Sequence, residues 1–167
     1  MPSPANLLGA LGLALADRLA GAAQRAGGPS AAEALVSLHQ GRAGASIDGL
    51  ARVVGLSHSG TVRLVDRLAR DGLVERRRGV DQRSAALFLT PAGRRVARRV
   101  LARRDAEMHL VLALLTDGEQ AVLARLTTHV LHRLGAAPEA ELRLCRLCDL
   151  EACGRSRGDC PIEHAKR

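Results

Sequence analysis

One aromatic side chain, Phe88, serves the whole chain of 167 residues. Strands in sandwiches and barrels lean on aromatic and β-branched residues, so this scarcity points to packed helices. Hydrophobic residues still make up 47% of the sequence, supplied by Leu, Val, Ala and Ile. A chain of this length buries roughly 70% of its unfolded surface. The expected molecule is therefore one mainly α domain with an appendage.

Charge divides the chain unevenly. The formal net charge is +8, and the stretch from Arg42 to Arg104 holds fifteen arginines against five acids. The residues before it balance, and those after it are slightly acidic. A concentrated basic segment points to a polyanion as partner. The apolar stretch "LLGALGLALA" has no Lys or Arg before it and is interrupted by Asp17 and Arg18, so it does not read as a secretory signal. No apolar run reaches the length of a membrane span. The expectation is a cytoplasmic protein with no membrane partner.

Helical spacing of Leu7, Leu8, Leu11, Leu15 and Leu19 predicts a first helix over 6–26, capped by Asn6 and ended by Gly27-Gly28-Pro29. Ser30 and Glu33 have the spacing of a capping box for a second helix over 31–40. Ser46 opens a short helix, "IDGLARVVG". Gly55-Leu56-Ser57 then turns into "HSGTVRLVDRLARDG". Two short helices joined by a glycine-containing turn form a helix-turn-helix pattern. Steps of 100° put Thr61, Leu64, Val65 and Leu68 on the inner face of the second helix. The outer face then carries Ser59, Arg63, Asp66 and Arg70, flanked by Val62 and Arg67. Past Gly72 the period changes to two, and "LVERRR" and "SAALFLT" read as a hairpin around 79–83. Thr90 caps the next helix with Pro91 at its first position, running to about Leu115. Asp117 is expected to cap the last helix, which ends near Leu134.

The segment "GLSHSGTVRLVDRLARDGLVERR…VDQRSAALFLTPAG" resembles the winged helix-turn-helix of the MarR family of bacterial transcription regulators. The likeness rests on Leu56-Ser57 at the turn, "RLVDRL", "GLVERR", "DQRS" and "LTPAG", and its order and spacing hold over about 30–134. It implies a mainly α fold with a two-stranded β wing. It also implies an obligate homodimer whose N- and C-terminal helices form the platform. The expected organisation is a dimerisation helix over 1–28, the winged helix-turn-helix over 29–92, dimerisation helices over 93–137 and a cysteine-rich tail over 138–167.

On this reading each second helix enters a major groove of double-stranded DNA. Ser59 and Arg63 face base edges and Val62 a thymine methyl, Ser57 and His58 join the DNA-binding set with His58 beside the groove as a phosphate contact, and Arg67 and Arg70 meet phosphates. Arg76, Arg77 and Arg78 add phosphate contacts along the hairpin. Arg83 at its tip enters the minor groove, and Asp81 pairs with an arginine to hold the wing in shape. The implied function is a sequence-specific regulator acting as a repressor, with a small-molecule or redox effector as a further partner. No Ser-His-Asp arrangement or phosphate-binding glycine loop points to an enzyme. The competing classes are a thiol oxidoreductase or small metalloenzyme using the tail, and a winged-helix module for protein contacts.

All four cysteines lie in the tail, as Cys145-x2-Cys148-x4-Cys153-x6-Cys160. Structural disulfides are rare in a reducing cytoplasm, so metal or redox chemistry comes forward. Four thiolates suit zinc, and Cys-x2-Cys is its usual half-site. An iron–sulfur cluster is the alternative, since Cys160-Pro161 matches the ending of ferredoxin motifs. Redox-active thiols without metal are the third. His164 could replace one cysteine, but reads more simply as a solvated residue. His129 and His132, one turn apart, read as helix surface or dimer packing.

Overall fold

In a computed structural model of the protein, residues 2–78 and 85–164 are described. The order is α1 (Pro4–Ala23), α2 (Pro29–His39), α3 (Ile47–Val54), α4 (His58–Arg70), β1 (Val74–Arg78), β2 (Ala85–Leu89), α5 (Pro91–Leu112), α6 (Asp117–Gly135), α7 (Ala140–Leu144) and α8 (Pro161–His164). This is the mainly helical winged fold that the sequence predicts. Its two strands pair antiparallel, with Val74 opposite Leu89 and Arg78 opposite Ala85. Ala45, before α3, adds a single bridge to Leu87.

The core is wrapped around α2. Every residue from Ala31 to Leu38 is buried, Glu33 and Ser37 included. A helix apolar on all sides needs neighbours on all sides. Here α3, α4, β2 and α5 supply them, through Leu50, Val54, Leu64, Val65, Leu68, Leu87, Ala97, Val100 and Leu101. Phe88 stays out of this core. It lies on the outer face of the wing with the Arg77 guanidinium 4.7 Å from its ring centre.

The caps explain where helices begin. Ser46, Ser57 and Thr90 each accept a hydrogen bond from a backbone N–H three residues on, at 3.0–3.1 Å. Three other starts differ from expectation. Helix α1 begins at Pro4, ahead of Asn6, because proline at the first position fits a helix whose first N–H groups are unpaired anyway. Helix α2 begins at Pro29 behind Gly28, so Ser30 lies inside it and no capping box forms with Glu33. The last long helix is capped by Thr116, not Asp117. Thr116 and Glu119 form a reciprocal capping box, and the Thr116 amide and hydroxyl hold the Glu119 carboxyl below its ordinary pKa.

Helix α1 packs on α5, and α6 carries the tail; apolar side chains on these elements stay uncovered. On α1 Leu8 is 69% exposed and Leu13 71%, with Leu7 and Leu11 also open; Leu110 of α5, Leu114 in the turn after it, and Val122, Leu126 and Val130 of α6 are open to solvent as well. The cysteine tail was expected as a unit apart. Instead it folds back: α7 packs on α3 and α8 on α6, with Cys160 and Ile162 buried and Leu147 against the main core.

Gly93 shows how tightly the wing joins α5. A Cβ there would collide with the Leu73 carbonyl at the foot of β1. Gly93→Ala should therefore destabilise the protein by about 1–3 kcal/mol through overpacking. Gly118→Ala, with nothing within 4 Å of the new methyl, should stay within about 1 kcal/mol of the parent or exceed it. Paired thermal unfolding curves check both.

Candidate nucleic-acid interface

Helix α4 presents the face that its sequence dictates. Thr61, Leu64, Val65 and Leu68 are buried, which turns Ser59, Arg63, Arg67 and Arg70 outward, with Val62 and Asp66 half-buried beside them. Ser57 is committed to the cap: its hydroxyl accepts from the Gly60 N–H and lies 3.3 Å from the Ser59 hydroxyl. His58 Nδ1 sits 2.6 Å from an Asp48 carboxylate oxygen, which ties the start of α4 to the start of α3.

The arginines fall into two groups. Arg67 donates to the Gly27 carbonyl at 3.2 Å. Arg76 donates to Asp66 at 2.7 Å, joining the wing to α4, while Arg77 pairs with Glu75 and covers Phe88. These three already shape the interface. Arg63, Arg70 and Arg78 are exposed, with no acidic partner among the described residues. Asp81 and Arg83 lie outside the described residues. Sequence reasoning missed the roles of Asp48 and Asp66. Each is spaced ten residues from its partner, beyond any helical repeat.

The geometry is thus a capped second helix with a basic outer face, a two-stranded wing locked to it through Asp66–Arg76, and α5 packed against the foot of the wing at Gly93. Residues 28–84 match the sequence profile of the MarR family. This winged helix-turn-helix is similar to that of the MarR family over those residues.

Solved structures share its architecture. The chain is 25% identical to YusO from Bacillus subtilis, with a TM-score of 0.64 over 77% of this chain and 97% of that one. It is 26% identical to the MarR family protein Rv2887 of Mycobacterium tuberculosis, with a TM-score of 0.63 over 77% and 94%. Rv2887 has also been solved in complex with DNA and with salicylic acid. MepR, a transcription regulator of the Staphylococcus aureus multidrug efflux pump MepA, superposes with a TM-score of 0.71 at 16% identity, over 80% of this chain and 99% of that one. No curated protein sequence matches the chain. At least a fifth of the chain has no counterpart in these three structures.

Beside the winged domain, the four thiols gather in two pairs. Cys145 neighbours Cys148 and Cys153 neighbours Cys160 closely enough for each to influence the other's ionisation, while the Cys148 thiol donates to the Leu144 carbonyl and the Cys153 thiol to the Leu150 carbonyl. Each pair is within electrostatic reach of the other. Gly154 and Gly158, at φ +74° and +76°, turn the chain back so that Cys160 returns to Cys153. Among the described residues no three His, Cys, Asp or Glu groups stand at the spacing of a finished metal shell. His132 serves the tail differently from expectation: its Nδ1 donates to the Pro161 carbonyl at 3.2 Å.

The thiols are unequal. The neighbouring Cys145 thiol, helped by Arg104 and Arg155, brings Cys148 down to about 7, while the same pairing and burial push Cys145 up. Burial also raises Cys153. Since the thiolate is the nucleophile, Cys148 of the reduced, metal-free protein should be alkylated before Cys145 at pH 7. Its rate should climb as pH rises through about 7. The buried Cys160 should react last. Timed alkylation with peptide mass spectrometry reads this order directly.

Proposed function

We propose that the protein is a DNA-binding transcription regulator that works as a homodimer. The observation that carries this reading is the outer face of α4. Among the described residues Arg63 and Arg70 have no acidic partner on it, and the Asp66–Arg76 bond fixes the wing beside it. Helix α4 enters the major groove, with Ser59, Val62 and Arg63 toward base edges. Arg63 is the guanine reader. Arg70 and Arg78 meet phosphates, which set position without reading sequence. His58, held by Asp48, orients the entry of the helix. Arg67, Arg76 and Arg77 keep their internal partners and act mainly by shaping the surface.

The uncovered leucines and valines of α1 and α6, with Leu110 of α5, supply the dimer contact, since large apolar side chains left open in this number mark an interaction site. Two copies related by a twofold axis present two reading helices to a palindromic site. A dimer seated over a promoter excludes other proteins, and repression is its simplest output. The DNA and salicylic acid complexes of Rv2887 support nucleic acid and small organic acids as the classes of partner.

For the tail we propose a single zinc ion held by Cys145, Cys148, Cys153 and Cys160. Four thiolates from one short segment suit one ion, and Cys145-x2-Cys148 is a usual zinc half-site. An iron–sulfur cluster interposes its own iron and sulfide atoms between the thiolates and needs them farther apart. Zinc supplies no redox chemistry here; it organises a segment with few apolar residues. Anaerobically purified protein should be colourless and carry one zinc per chain by elemental analysis; a brown protein with iron and sulfide would refute this assignment.

Binding to duplex DNA from upstream of its own gene should weaken steeply with salt, as expected when arginines displace counterions. Arg63→Ala should lose roughly 1–3 kcal/mol of discrimination between specific and altered sequence, with dimer mass unchanged by light scattering. Leu126→Glu should give a monomer with little DNA affinity. A Leu126→Glu protein that stays dimeric would remove the proposed platform.

A further inference from the structure

Where the tail meets the end of α2, a cleft of about 360 Å³ lies between them. Its walls come from both sides. The domain supplies Ser37 and Gln40 at the end of α2, and Arg42 in the loop that leads to α3. The tail supplies Leu150 and Arg155. Among the described residues that line the cleft there are two guanidiniums and no carboxylate. Neither guanidinium has an acidic partner among the described residues, although the neighbouring Arg157 is paired with Asp159.

The polar groups between the arginines are able to donate. The Ser37 hydroxyl is buried without a hydrogen-bond partner, in a residue only 5% exposed. An unpaired buried hydroxyl is destabilising, and a ligand oxygen beside it would remove that cost. Gln40 Oε1 accepts from the Leu150 N–H at 3.4 Å, which leaves its side-chain NH2 to donate. The end of a helix ordinarily repels an anion through its free carbonyls. Here the Val36 carbonyl takes the Gln40 N–H at 2.9 Å and the Ser37 carbonyl takes the Arg42 N–H at 3.2 Å, so the nearest ones are occupied.

We infer that this cleft binds a small polar dianion, a phosphate monoester or a dicarboxylate, held by Arg42 from the domain and Arg155 from the tail. Each guanidinium offers a planar fork that matches two oxygens of a phosphate or carboxylate. Two such forks call for two negative charges. Leu150 is the one large apolar side chain among the described lining residues, so the body of the ligand is short or hydroxylated rather than an aromatic ring. The site is incomplete without the tail, and a bound dianion ties the tail to the loop after α2. That loop is itself joined to the wing: the Gly44 N–H donates to the Leu87 carbonyl at 2.8 Å, and the Leu87 N–H to the Ala45 carbonyl at 3.0 Å. A filled cleft therefore steadies a segment against which β2 is held. The cleft needs no DNA, so its test is independent of the regulator reading.

Calorimetry on the full-length, reduced protein with glycerol 3-phosphate, succinate and salicylate tests the site. Glycerol 3-phosphate or succinate should bind with Kd below about 1 mM, and whichever binds identifies the class. Salicylate should not displace it. Arg42→Met and Arg155→Met should each weaken binding about tenfold or more, the usual loss of a charged hydrogen bond. Arg95→Met, which changes an exposed arginine of α5 outside the cleft, should leave binding unchanged. Ser37→Ala should weaken binding as well, yet the ligand-free variant should melt no lower than the parent, since it loses an unpartnered hydroxyl. The bound dianion should slow amide exchange at 40–45 and 150–157 together. Absence of binding by both dianions, binding that survives either cleft-arginine substitution, equal weakening by Arg95→Met, displacement by salicylate, or slowed exchange on one side alone would each overturn the inference.

Discussion

Helix α2 is buried on every side, and the remaining elements are arranged by what it needs covered. Eight consecutive residues, Ala31 to Leu38, lose contact with water. Aliphatic side chains from α3, α4, β2 and α5 close around them. In a chain with one aromatic residue this packing has no large ring to organise it. Small and branched side chains must interdigitate at crystal-like density instead. One consequence is that a charged residue, Glu33, is enclosed with the core. A carboxylate in that position needs a partner, and the partner arrives from the far end of the chain as Arg146. The burial of α2 thus settles the shape of the winged domain and also where the tail must dock.

The basic character of the surface is more selective than its charge suggests. Surface ion pairs contribute little stability, about 0–1 kcal/mol each. Their larger effect is to decide which guanidiniums remain available. Asp66 occupies Arg76, Glu75 occupies Arg77, and a loop carbonyl occupies Arg67. What remains on the described face is a short set around Arg63, Arg70 and Arg78. The acids interspersed among the arginines therefore turn a diffuse positive field into a surface with defined shape. A protein reading base edges needs that more than it needs net charge.

Much was legible because it is local. Caps at Ser46, Ser57 and Thr90 act over three residues, the inner face of α4 repeats every three or four, and the wing alternates every two. These signals depend only on near neighbours, so they survive without the rest of the molecule. The errors arose where two local signals competed. Pro4 and Pro29 set helix starts ahead of Asn6 and Ser30. Thr116 took the cap because its hydroxyl and Glu119 satisfy each other reciprocally, which leaves Asp117 in the first turn.

The sequence by itself determined the helical class, the helix-turn-helix with its outward arginines, the wing and the four-thiol spacing. Each follows from propensity, periodicity or composition within a short window. Only the tertiary structure decided which arginines are engaged, that Phe88 lies outside the core, and that the tail is docked rather than free. Those outcomes join groups such as Glu33 and Arg146, 113 residues apart. No local pattern encodes such a pairing: it exists only after the core has closed and left one carboxylate in need of a counter-charge.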